Sequence, residues 1–403
     1  MSLDIDQVVL QIQEMATRLL AGREEHTEHL ANASSALVSQ GANWEKLGEK
    51  IEDSKATWLA AGMIEGLAER HGSPSLPPGF SVLAVDGSHI DVDRHSPVRC
   101  YVINLGMVRL QYGEDPGAWL GSRARVYSEP DELELADPRG RGSEPVNGAL
   151  LGIKRGVEEC REVARMSREE NGTLPTLALV DGTLVLWGLA GRDFDGSKSY
   201  VRDAFLDRDL LPALDGLREL GHGGSFALAS YISRPRSTEV LDALRIDICP
   251  HETANCDGYC PPGSPVGECE KLAGVEDREL FARLLEIGER SATFLSRSKV
   301  VREYYGDHAI CFFYLRLEDE VARVEFPRWV SEQGGVEQVH ALVFDQCRRG
   351  QGYPVALIEA HEQAVIGGGD RERFWDLVEL GLEEKRLSTD GSAKSRSKRT
   401  RWI

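Results

Sequence analysis

Apolar positions recur at helical spacing over residues 4–21, where Ile5, Val8, Val9, Ile12, Met15 and Leu19 form one stripe. The same spacing over residues 44–70, through Trp44, Leu47, Ile51, Trp58, Leu59, Met63, Ile64 and Leu67, predicts one or two further helices. Residues 1–72 thus read as a helical extension, which either caps the core or docks a partner. Gly72 to Gly79, GSPSLPPG, is a linker by composition.

The period then changes. Phe80 to Ile90 reads FSVLAVDGSHI, with Val82-Leu83-Ala84-Val85 as a short buried strand and Gly87-Ser88 as its turn residues. Val98 to Leu110, VRCYVINLGMVRL, predicts a strand pair or one long bent strand, and the polar, acidic stretch 111–145 reads as a surface excursion. From Asn147 to about Arg168 a helix is expected, with Leu150, Ile153, Val157, Cys160 and Ala164 as its apolar stripe. Strands at 176–187 and 225–232, a hairpin of 309–317 with 321–326, and helices at 201–220, 276–290, 336–348, 355–366 and 371–385 complete the pattern. Alternating strands and helices indicate an α/β fold.

Composition narrows the class. The 403 residues are 41% hydrophobic and 28% charged, as in soluble globular proteins. No apolar run approaches the roughly 20 residues of a membrane span. The start MSLDIDQVV lacks a signal-peptide core, so a cytoplasmic protein without a membrane partner is expected. A net charge of −19 argues against a broadly basic nucleic-acid surface. Residues 386–403 form a basic tail, expected to be disordered, and Lys385 to Ile403 carries +6 against −25 on the rest.

Candidate chemistry starts at Asp86, at the lip of the first core strand. The pattern repeats 95 positions later as Leu177 to Leu184, LALVDGTL, with Asp181 in the same place. Two strands ending in Val-Asp-Gly-Ser/Thr bring two carboxylates to one sheet edge, where they repel unless a cation lies between them. The competing reading is that Asp-Gly merely ends strands. On the 147–168 helix Glu158 flanks the apolar stripe while Glu159 and Glu162 lie further round, so Glu158 is the acid expected to look inward. Tyr231, Arg234 and Arg236 at the end of SFALASYI suit a phosphate or base contact, with an edge aromatic covering the core as the alternative. His361 shares a face with Leu357, Ile358, Ala364 and Val365, which points it inward. Cys249, Cys256, Cys260 and Cys269 crowd an insertion at about 249–269. Their density suggests one structural metal, Zn²⁺ rather than an iron–sulfur cluster, against a flexible insertion with free thiols.

AVDGS at 84–88, LVDGTL at 179–184, YISRP at 231–235 and GYPVALIEAHEQAVI at 352–366, in this order, resemble the NurA family of DNA-end-processing nucleases. The resemblance covers about residues 80–385 and implies an RNase H-like mixed sheet flanked by helices. It implies a Mn²⁺- or Mg²⁺-dependent deoxyribonuclease with two ions. The implied activity is a 5′–3′ exonuclease with single-strand endonuclease action, in double-strand-break repair. A homodimer working with a HerA-type hexameric ATPase is implied as well. Asp86, Asp181, a helix Glu (Glu158 by the spacing above) and His361 would be metal ligands, with Tyr231 and His361 in the active site. Thr183 stands where the family more often has Ser, and the cysteine cluster lies outside the family pattern. The rival reading is a catalytically silent DNA-end-binding or adaptor subunit of the same fold.

Overall fold

The computed structural model describes residues 4–387 apart from 41–43, 94–95, 97, 171, 222 and 262–266. The basic tail beyond Leu387 lies outside the described residues. The chain divides into two compact units.

One unit comprises Met1–Ser73, Ser233–Ser298 and Cys311–Val324. The expected extension is therefore part of a core with segments more than 150 residues downstream: Leu37, Leu47, Ile51 and Leu67 pack with Val240, Leu244, Phe281 and Phe294. Helices run over Ile5–Ala21, Arg23–Gln40 and Trp44–Glu52. Helix does not continue to residue 70 as the spacing suggested. Instead Gly62–Met63 and Arg70–His71 pair as short strands with Phe294–Leu295 and Arg290–Ser291. Tertiary pairing overrides helical periodicity there, and the Arg245 guanidinium lies 3.7 Å from the Trp58 ring. The Ile5–Ala21 helix buries no residue and exposes Ile5, Val9, Leu10, Ile12, Met15, Leu19 and Leu20.

The other unit comprises Pro74–Ile232, Lys299–Ile310 and Glu325–Ile403. Its sheet runs in the order Phe226–Ile232, Thr176–Asp181, Phe80–Ile90, Tyr101–Tyr112, Gly117–Tyr127. The last three form an antiparallel meander, and the first two extend it in parallel. This α/β arrangement, with helices on the faces of a mixed sheet, is the expected RNase H-like fold. The central strands read as unbroken apolar runs because both faces are covered: Val82, Leu83, Ala84, Val85, Leu177, Ala178 and Leu179 are all buried. Gly117–Tyr127 replaces the expected surface excursion. As an edge strand exposed over nearly its whole length, it shows no apolar alternation to betray it. Helix Gly148–Arg168 covers one face, and helix Val355–Ala364 the other.

Candidate metal centre at the sheet edge

Register places the acids. Val85 pairs with Val180 across the two parallel strands, so Asp86 and Asp181 are the next residues along and stand side by side. Neighbouring strands lie about 4.8 Å apart, so two like charges share one lip. Asp181 in turn pairs with Tyr231, and Asp86 with Gly106 on the antiparallel side. One row of one face thus holds Gly106, Asp86, Asp181 and Tyr231.

Gly106 explains how the C-terminal helix reaches this row. A Cβ there would lie 2.1 Å from the Ala360 carbonyl oxygen and 2.5 Å from the Ala364 nitrogen, so only glycine admits Val355–Ala364 so close to the sheet. Asn104 Nδ2 donates to the Ala364 carbonyl at 2.9 Å, and the Ser88 hydroxyl donates to the same oxygen. The serine of the Val-Asp-Gly-Ser motif thereby pins the end of the helix. His361 is set with Nδ1 2.7 Å from Asp86 Oδ2. Its ring does not point into the core as its helical face suggested, since the side chain is 63% exposed. The end of the helix lies over a sheet lip open to solvent, which is why apolar neighbours in sequence misplace it. In the second motif Thr183 donates to Glu325 Oε2 at 2.8 Å, and the Leu184 amide donates to the same oxygen at 3.0 Å. These bonds fix the turn that follows Asp181.

The helix acid facing the two aspartates is Glu159, not Glu158. Glu158 is held by Lys154 at 2.8 Å and Arg161 at 3.0 Å. Glu159 is buried, and a Cβ on Gly87, the residue after Asp86, would touch its carboxylate at 2.6 Å. The expected phase centred the buried stripe on apolar residues alone. The buried face also carries Glu159, Glu162 and Ser167, which rotates it. Burial, then the charges of Asp86 and Asp181, push the Glu159 carboxyl up to about 8, against the pull of Arg155 at 3.1 Å. Despite that proximity, Oε1 of Glu159 is buried with no hydrogen-bond donor aligned on it. Asp181 keeps a solvent-facing edge while protein crowds its other sides. That desolvation and the Asp86 charge raise its carboxyl despite a hydrogen bond from Tyr353.

Tyr353 is the site residue that spacing alone did not single out. Its hydroxyl donates to Asp181 Oδ1 at 2.6 Å, and burial together with the Asp181 charge raises that hydroxyl well above its usual range. Its signal was its place in the Gly-Tyr-Pro of the fourth motif. Of the two readings of Tyr231 the core-covering one holds: it is fully buried and packs edge-to-face on Tyr353, centroids 5.1 Å apart. It supports the tyrosine that holds Asp181. Arg234 and Arg236 are exposed in the other unit, Arg234 with φ of 45°.

Hard carboxylate oxygens beside an imidazole, crowded and mutually repelling, fit divalent Mn²⁺ or Mg²⁺. Among the described residues, one group of three or more acids, histidines or cysteines brings its ligand atoms within 4.8 Å of one another, namely Glu65, Glu69 and His71. The sheet-edge acids are spread more widely than that. The thiols of Cys249, Cys256, Cys260 and Cys269 do not converge into a ligand set either, although Cys249 and Cys260 lie near enough to raise the Cys269 thiol after burial has done so. Their segment is tied down through its backbone, by Lys50 on the Cys249 carbonyl at 2.7 Å and Arg245 on that of Cys269 at 3.2 Å.

Comparison with known proteins adds a family. Among solved structures, the prototype foamy virus protease–reverse transcriptase matches at 13% identity and TM-score 0.21, over 39% of this chain and 18% of its own. LC9-RNase H1, a type 1 RNase H with the type 2 active-site motif, matches at 10% identity and TM-score 0.21, over 42% of this chain and 71% of its own. No curated protein matches. The NurA domain model matches residues 80–366, the span that contains Asp86, Glu159, Asp181, Tyr353 and His361, and the chain belongs to the NurA family of nucleases.

Proposed function

We propose that this chain is a divalent-metal-dependent deoxyribonuclease that processes DNA ends. The observation carrying the proposal is the register that sets Asp86 beside Asp181, with Glu159 buried behind them and carrying a raised affinity for a proton. In this reading Asp86, Asp181 and Glu159 hold two ions, Mn²⁺ by preference, and His361 is a fourth ligand or the acid. Bound there, such ions supply a hydroxide at neutral pH and neutralise the oxygens of the phosphate under attack. The chain's own groups do the rest. Tyr353 orients the Asp181 carboxylate and Tyr231 fixes Tyr353. Asp86 accepts from His361 Nδ1, which leaves Nε2 with a lone pair in the neutral ring and a transferable proton in the imidazolium. An imidazolium at that position protonates the departing 3′-oxygen.

Partners follow as part of the same proposal: DNA, a second copy of the chain and a HerA-type ATPase, in the cytoplasm. Among the described residues no helix is long and apolar enough to cross a membrane. The apolar stripe left open on Ile5–Ala21 supports a protein-docking role for that helix. Arg234 and Arg236 are offered as DNA contacts.

The test is a titration of Mn²⁺ and Mg²⁺ against end-labelled DNA and RNA. Cleavage of DNA that needs the metal, with RNA left intact, is expected. Retained end binding with no cleavage at any metal concentration would establish the silent adaptor instead.

A further inference from the structure

Glu158 and Glu162, the two acids turned away from the metal carboxylates, open onto a cleft of about 690 Å³. Its walls are the Gly148–Arg168 helix, the Tyr101–Tyr112 and Gly117–Tyr127 strands and the segment around Arg208. Six arginines line it: Arg123, Arg125, Arg161, Arg165, Arg168 and Arg208. The acids on its walls are Glu158, Glu162 and Asp209, so the cleft is positive within a chain of net charge −19.

The acids act as anchors rather than as neutralisers. Glu162 is 2% exposed, takes Arg165 at 2.8 Å and also pairs with Arg123. Glu158 takes Arg161 at 3.0 Å. Arg123, Arg161 and Arg165 nonetheless leave 53%, 46% and 41% of their side chains in solvent, so their guanidinium forks are held in place but open to a second acceptor. Arg168 and Arg208 are exposed and, among the described residues, form no salt bridge. An arginine fork held this way favours a planar or tetrahedral oxyanion over a point charge. The aromatic rings in the wall offer no base platform: Tyr127 is 4% exposed and its stacking partner Tyr101 is fully buried.

The cleft is built on the helix that carries Glu159. Glu158 adjoins Glu159 in sequence, and Glu162 follows it by three residues, about 4.5 Å along the helix axis. The cleft's Leu105 and Arg123 lie in register with Gly87, the residue that faces Glu159, so the cleft and Glu159 share one face of the sheet. We propose that the arginine cleft seats the backbone phosphates of the DNA strand being cut, reading charge and not base. This inference rests on the nuclease reading of the adjacent carboxylates.

The test measures binding without catalysis. Full-length protein, its Arg168→Ala/Arg208→Ala variant and the matching double Lys variant are titrated with a fluorescent single-stranded oligonucleotide in metal-free buffer over a range of salt. Among the described residues these two arginines form no salt bridge whose loss would strand a carboxylate, and thermal melting checks that both variants fold. The Ala variant is expected to weaken binding by about tenfold or more at low salt. It is also expected to flatten the slope of log affinity against log salt by about 1.4, the value for two single-strand phosphates that the protein no longer neutralises. The Lys variant is expected to keep the slope. Unchanged affinity and slope in a folded Ala variant overturn the proposal, as does loss of binding to a poly-glutamate probe with oligonucleotide binding intact. A mononucleotide that competes as well as the oligonucleotide, at equal phosphate concentration, would also overturn it, by making the cleft a free-nucleotide site. Absence of metal-dependent cleavage would sink the nuclease reading and leave these binding results standing.

Discussion

Glu159 and Glu162 lie within one turn of one helix and are sealed from solvent to the same degree, at 5% and 2% exposure. Their surroundings differ in sign. Glu162 answers to two arginines, while Glu159 has one arginine against two aspartates. A buried carboxylate paired with matched cations is a structural anchor. A buried carboxylate facing like charges is poised to exchange a proton for a metal ion. Burial alone does not mark a site; burial with the local charge left out of balance does.

Breaking the aspartate side of this comparison has the largest expected effect. Asp181→Ala or Asp86→Ala should cut metal-dependent DNA cleavage by at least about a thousandfold while the protein still melts cooperatively. Full activity in either would end the two-carboxylate centre. Next comes a contrast on the helix itself. Glu159→Gln should cost about a hundredfold or more in cleavage, and Glu158→Gln no more than about threefold. The reverse ranking would return the catalytic role to Glu158.

Glu159 should also show in the pH dependence of stability. Glu159 titrates at about 8 when folded against an ordinary value of 4.5, so without metal the folded state holds a proton that the unfolded chain has lost. Stability contributed by the protonated acid is complete below about pH 4.5 and lost as pH rises through about 8. In chelator, the wild type should therefore lose stability relative to Glu159→Gln over that window, and Mn²⁺ should raise the melting temperature more at pH 8 than at pH 6. Parallel pH profiles for the two proteins would refute this. A smaller effect is expected at Tyr353→Phe, which removes one hydrogen bond to a charged oxygen. About a tenfold loss of cleavage should follow, corresponding to roughly 1.5 kcal/mol. Wild-type rates in that variant would show that Asp181 holds its orientation unaided.

Much of the site could be read from the chain because strand ends are local. An unbroken apolar run followed by Asp-Gly fixes both the strand and the height of its carboxylate, so Asp86 and Asp181 needed no tertiary information. Which helix acid joins them did need it. One residue of phase separates Glu158 from Glu159, and the buried face is set by polar contacts that an apolar stripe does not register. Tyr231 stayed open between contact and core, and His361 was expected inward but is exposed, since exposure at a sheet edge depends on which element lies across it. The edge strand Gly117–Tyr127 hid because it carries the cleft's arginines where alternating apolar residues would mark a strand. The unit assembled from Met1–Ser73, Ser233–Ser298 and Cys311–Val324 is non-local by construction, and local periodicity does not show such packing.

The seat that Gly106 provides for helix Val355–Ala364 has a consequence for the order in which the protein is made. His361 meets Asp86 across 275 positions, and Tyr353 meets Asp181 across 172. The sheet and its acids leave the ribosome long before either partner exists. A chain emerging at about 5–20 residues per second passes through many seconds with these strands complete and Tyr353 and His361 still to come. Under the proposed assignment synthesis itself acts as a safety catch: a copy cut short before Tyr353 lacks two of the proposed groups, and nuclease activity is expected only once helix Val355–Ala364 has been made.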